Sequence, residues 1–132
     1  MQPHEQVVLD HPLSLEEHEK IGRLVEAAQV HFMEGRITSP PGGNVLSTYQ
    51  QILEIDPSDS QARIGLKQIA DHYEKLARES WESGNIEQCR ALIESGLMAE
   101  PNHKGLNKLL NKIEPWSTWE RIAYWFGNLT TR

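Results

Sequence analysis

The chain has 132 residues, 38% of them hydrophobic and 24% charged, with a formal charge of −6. That is one domain's length with an ordinary globular composition, which excludes a disordered or collagen-like chain. No run approaches the ~18 apolar residues of a membrane span, the negative charge argues against general nucleic-acid binding, and a lone cysteine, Cys89, excludes an intrachain disulfide or a thiolate metal cage.

The first thirty residues hold no basic-then-apolar export signal, so work in an envelope would require cutting from a longer protein or travelling with a partner. The charge is uneven. Residues 1–100 carry 17 acidic and 8 basic side chains, a balance of −9, whereas residues 101–132 carry 2 and 5, a balance of +3. That last stretch also holds Trp116, Trp119 and Trp125, which fits either a separate contact surface or a capping helix whose aromatics are core.

Helix punctuation is the clearest local signal. Ser14 with Glu17 reads as a capping box, in which each side chain satisfies the other residue's backbone N–H. Ile21, Leu24, Val25, Ala28 and Phe32 follow as one helical stripe, ending near Gly35. The run from Thr38 through Pro40, Pro41, Gly42 and Gly43 must be a loop. Asn44 caps a second helix with Val45, Tyr49, Ile52 and Leu53, which stops before Pro57. Ser58 with Gln61 predicts a second capping box and a long third helix carrying Ala62, Leu66, Ile69, Tyr73, Leu76, Ala77 and Ser80, closed by Gly84. At ~1.5 Å per residue its roughly 24 residues span about 36 Å. Asn85 and Gln88 open a fourth helix with Ile86, Cys89, Leu92, Ile93 and Leu97, ending before Pro101. Asn102 is expected to cap a fifth, with Leu106, Leu109, Leu110 and Ile113, broken by Pro115. Ser117 with Glu120 predicts a short sixth helix with Trp119, Ile122, Ala123 and Phe126. No segment sustains period-2 alternation with β-branched residues, so the chain reads as all-α.

The helices repeat. Pro57 and Pro101 lie 44 residues apart, and their surroundings superpose: Ile52 matches Gly96, Val45 and Tyr49 match Cys89 and Ile93, and Ala62, Leu66 and Ile69 match Leu106, Leu110 and Ile113. A helix pair recurring at fixed period is the mark of an α-solenoid.

On these residues the chain resembles the tetratricopeptide repeat family over roughly residues 14–113. Tyr73, Leu76, Ala77, the Gly84-Asn85-Ile86 turn, Cys89 in the small slot, Ile93 and Pro101 match one unit. Leu24, Ala27 and Ala28, then Tyr49, Ile52, Leu53 and Pro57, match another in two halves. The first turn carries about five residues more than the family's, and the third helix is about ten longer. The stretch from Gly35 to Pro57 also looks like repeat segments of bacterial envelope and signalling proteins. The resemblance implies a right-handed α-solenoid of helix hairpins with C-terminal capping helices. Its parts would be an extended segment 1–13, a helical domain 14–113 and an aromatic helix and tail 114–132. It implies protein–protein interaction, an adaptor or scaffold holding a peptide or a neighbouring domain on its concave surface.

Carried over by register, the groove would use Val25, Gln29, Phe32 and Met33 in the first unit and Asp71, Glu74, Arg78, Trp81 and Glu82 in the second. Phe32 and Trp81 read equally as core, and Arg78 as an exposed pair with Glu74 or Glu82. Lys104, Lys108 and Lys112 with Asn107 and Asn111 form a polar ladder on the fifth helix. It could hold a carboxylate or an acidic peptide, or be a plain solvated face.

No metal or cofactor is expected. His4, His11 and His18 are seven apart, but Pro3 and Pro12 prevent one helix from aligning them, and His31 and His72 read as polar surface. Catalysis finds no support, since the chain has neither a phosphate loop nor a nucleophile elbow, and Cys89 falls on a buried stripe. A second functional reading is membrane-peripheral, with residues 116–126 and the nearby lysines against an anionic lipid surface. Repeat arrays generally need about three units to be stable. The open ends here must be covered by the last helix as an intramolecular cap, by Val7-Val8-Leu9, or by a second copy of the chain.

Overall fold

A computed structural model describes residues 12–114 together with Gly127. Among these residues the regular elements are five α-helices: α1 (Leu15–Met33), α2 (Val45–Ile55), α3 (Ser60–Glu82), α4 (Ile86–Ala99) and α5 (Lys104–Ile113). The all-α expectation holds for them. The sixth helix, the three C-terminal tryptophans and the segment 1–11 lie outside the described residues.

The helix starts follow side-chain chemistry. Ser14 Oγ accepts from Glu17 N–H at 3.1 Å while Ser14 N–H donates to Glu17 Oε1 at 3.0 Å, the predicted capping box. Asn44 caps α2 by accepting from Ser47 N–H at 2.7 Å, and Asn85 caps α4 by accepting from Gln88 N–H at 3.1 Å. Two starts differ from expectation by one residue. The cap of α3 is Asp59, whose carboxylate accepts from Ala62 N–H at 2.9 Å; Ser58 is turned back onto Asp56 Oδ1 instead. The cap of α5 is His103, whose Nδ1 accepts from Leu106 N–H at 3.1 Å, in place of Asn102. Both shifts have one cause. The carbonyl of the residue before each proline accepts the N–H of the later cap, Asp59 N–H to Asp56 and His103 N–H to Glu100, so each chain turns once more before its helix starts. α1 and α3 close through Gly35 and Gly84, whose φ of +75° and +79° place them in the left-handed region that favours glycine.

The long turn between α1 and α2 folds back onto its own helix. The carbonyls of Arg36 and Ile37 accept from Val45 N–H at 2.9 Å and Leu46 N–H at 3.0 Å, satisfying donors that a helix start leaves orphaned. Thr38 Oγ1 and Tyr73 OH, 3.0 Å apart, share a hydrogen bond that ties the turn to α3.

Packing centres on α3. It lies against α2, α4 and α5, while α1 packs on α2 and α4 on α5. The core joins Val45 and Leu46 of α2, Leu66, Ile69, Ala70 and Ala77 of α3, Cys89, Ile93 and Ala99 of α4, and Leu106 and Leu109 of α5. Two glycines permit close approach. A Cβ on Gly65 would overlap the Tyr49 ring, and one on Gly96 would sit 2.5 Å from Leu106 Cδ1. These glycines let Tyr49 and Leu106 lie on neighbouring helix backbones, which offsets the conformational entropy that a helical glycine loses.

Candidate functional site

The apolar stripe of α1 runs through Ile21, Leu24, Val25 and Ala28, and Ala28 is buried. Phe32 continues that stripe one turn further and should be buried with it. It is 67% exposed instead. At this level the side of α3 stands off from α1, and the gap is a cleft of about 380 Å³. Phe32, Ile37, Val45, Tyr49 and Ile69 form its apolar walls. Gly65 keeps the side of α3 low beneath the Tyr49 ring. Gln68 and His72 supply the polar groups, and the His72 ring meets Tyr73 edge-on with centroids 5.8 Å apart. A concave apolar site with a few polar groups is the general form of a ligand pocket, and this volume accommodates one or two large side chains.

Of the groove positions named from sequence, Phe32 alone lines this cleft. Gln29 is exposed on α1, and Met33 is 84% exposed at its last turn. Arg78, Trp81 and Glu82 lie six to ten residues beyond His72 on α3, about 9–15 Å along its axis. The structure therefore does not gather the nine groove positions into one cleft. Arg78 donates to Glu74 Oε2 through Nη2 at 3.3 Å and Nε at 3.4 Å. Trp81 is half-buried and packs against the core, and Glu82 is exposed. Asp71 and Glu74 are taken by α5: Asp71 Oδ1 lies 2.6 Å from His103 Nε2, and a Cβ on Gly105 would overlap the Glu74 carboxylate. Both residues face the next helix, with Glu74 half-buried and Asp71 still 49% exposed.

The ladder on α5 divides. Lys104, Lys108 and Asn111 are exposed, and none of the three lysines makes an ion pair among the described residues. Asn107 is committed to its own helix start, donating to the carbonyls of Pro101 at 3.1 Å and His103 at 2.9 Å. Among the described residues no three His, Cys, Asp or Glu side chains group around a metal position, and no helix is long and apolar enough to cross a membrane. Cys89 is fully buried, and burial pushes its thiol above the ordinary range, with Arg90 opposing.

Three histidines make contacts that the sequence did not predict, although His72 is exposed as read. His31 Nδ1 accepts from Arg36 Nε at 3.0 Å, and Arg36 also pairs with Glu34. His72 lines the cleft, and His103 was not singled out by any sequence pattern. Ile37, Gly65 and Gln68 were missed too. Gly65 left a trace in the sequence, as a glycine among the small and apolar residues of a long helix, where an aromatic from the preceding helix could be seated.

No family model matches the chain, and neither the curated proteins nor the solved structures give a match.

Proposed function

We propose that the chain is a protein-interaction module of tetratricopeptide-like helix pairs, and that it holds a peptide by seating a large apolar side chain in the cleft between α1, α2 and α3. One observation carries this reading: Phe32 belongs to the inward stripe of α1 yet is 67% exposed beside an apolar cleft. Leaving an aromatic ring in water forgoes its burial, roughly 1.5–3 kcal/mol, and a bound side chain would recover it. Supporting the paired-helix part of the reading, the two positions of the 44-residue unit behave alike. Asp56 and Glu100 end α2 and α4 at φ/ψ of −133°/93° and −142°/94°, and Asp59 and His103 cap the following helices at −60°/115° and −62°/117°.

The test is a selection of random peptides on the full chain, followed by anisotropy titrations of the winners. Phe32→Ala and His72→Ala should each weaken binding about tenfold with little change in melting temperature, the scale of an interface anchor. Selected peptides that bind both variants as tightly as the parent would remove the cleft from the binding surface. Winners whose affinity depends on Lys104 and Lys108 instead would move the site to α5.

A further inference from the structure

The repeat uses one capping slot twice, with different chemistry. In the first copy Asp59 Oδ1 accepts the orphan N–H of Ala62 at 2.9 Å. In the second copy the slot holds His103, which is 8% exposed. Its Nδ1 accepts from Leu106 N–H at 3.1 Å, so that nitrogen carries no proton; its Nε2 therefore carries it and donates to Asp71 Oδ1 at 2.6 Å. The ring makes one bond to its own helix and one to α3. The bond at Nδ1 needs a proton-free nitrogen, whereas the bond at Nε2 needs only its proton and survives in the imidazolium.

We propose that His103 is a proton-controlled latch: its neutral ring locks the start of α5 onto α3, and protonation at Nδ1 releases that start. A proton on Nδ1 removes the acceptor of Leu106 N–H and sets two donors face to face in a nearly buried site. It also puts a positive charge at the positive end of the helix dipole. The opposing force is attraction to carboxylates. Asp71 faces Nε2 from α3, but its side chain is 49% exposed and its other oxygen is held by Lys67 at 3.1 Å. Glu74, also on α3, lies over Gly105 and pairs with Arg78. From the end of α4, Glu100 takes the His103 N–H on its main-chain carbonyl, and its Oε2 is buried without a hydrogen bond among the described residues. On α5 itself Lys104, the next residue in sequence, is exposed and carries a like charge. No carboxylate is bonded to Nδ1, so none replaces the lost cap. Attraction to Asp71 strengthens the Nε2 bond but restores no acceptor for Leu106 N–H, so the start of α5 loosens when the ring takes up a proton.

The experiment is amide hydrogen exchange on the full chain at pH 8.0 and pH 5.5, corrected for intrinsic rates, with α2 amides as the internal reference. In the wild type, protection of the Leu106 to Leu110 amides should fall about fivefold or more relative to α2 at the lower pH. In His103→Asn, whose side chain caps without titrating, it should not change. Unchanged protection of α5 in the wild type overturns the latch. An equal loss in His103→Asn overturns it too, by placing the effect at His31, His72 or another group. Should His103→Asn not fold, nitrogen NMR of the wild-type ring decides. A proton-free Nδ1 at pH 8.0, and loss of α5 protection that tracks the ring's own titration, support the latch; a protonated Nδ1 at pH 8.0, or a loss that does not track it, overturns it.

Discussion

Two positions 44 residues apart carry opposite side-chain sizes, and this can be tested by exchange. At equivalent positions the first copy holds Ile52 and Ala62, and the second holds Gly96 and Leu106. Ile52, Ala62 and Leu106 are fully buried. A Cβ placed on Gly96 would lie 2.5 Å from Leu106 Cδ1 and 3.0 Å from Tyr73 Cβ, so the second site has no room for even a methyl group unless Leu106 yields. A large-then-small pair has become small-then-large. Leu106→Ala empties a sealed site and should cost about 2–5 kcal/mol. Gly96→Ile alone drives a branched side chain into Leu106 and Tyr73 and should cost about 1–3 kcal/mol or more, after a helix-propensity gain of roughly 0.5 kcal/mol. The double variant rebuilds the first copy's arrangement, so we expect it to lie within about 2 kcal/mol of the wild type, with a favourable coupling of at least about 2 kcal/mol. Urea unfolding of the four proteins followed by circular dichroism gives the cycle. Single costs that add to within about 0.5 kcal/mol would refute the size compensation, and with it the equivalence of the two copies.

Three further outcomes are expected. Cys89 is fully buried between α3 and α4, so Cys89→Ala should be tolerated while Cys89→Leu costs about 1–3 kcal/mol by overpacking; equal melting temperatures would displace it from the contact. Phe32→Ala should leave the melting temperature nearly unchanged, whereas Trp81→Ala, losing a half-buried ring packed on the core, should cost about 3 kcal/mol, the low end for a large aromatic; thermal melts showing the reverse order would invert the two assignments. The His103 hydrogen bond, aided by Lys67 against partial burial, holds the Asp71 carboxyl below its ordinary 3.8. A depressed carboxylate stabilises the fold above its unfolded value and loses that contribution as pH falls through the folded one. Unfolding profiles should therefore show Asp71→Asn flattening the acid limb below about pH 4, and an unaltered limb would detach Asp71 from stability.

Much of the fold was legible because it is written locally. Caps, prolines and glycines act within a few residues, so Ser14, Asn44, Asn85, Gly35 and Gly84 marked helix ends without any knowledge of packing. The two junctions marked by Pro57 and Pro101 were legible as well, and their cap residues adopt matching backbone angles. The one-residue errors at Asp59 and His103 arose where two adjacent polar residues could each cap, and only the backbone turn after each proline chooses between them. The candidate site was largely illegible. Phe32 obeys the inward stripe of α1, and no rule of spacing says that the far wall stops short of it. That gap depends on where α3 lies relative to α1, a distance set by Tyr49 seating on Gly65 and by the long turn tying Thr38 to Tyr73. Likewise Asp71 and Glu74 sat on the face predicted for a ligand, and it is α5, arriving from thirty residues downstream with His103 and Gly105, that occupies them. Sequence determined what each helix is and which stripe it turns inward, since those follow from the chain's own periodicity. Which stripe is covered, and by what, was decided by tertiary packing, because burial belongs to pairs of surfaces and not to either one alone.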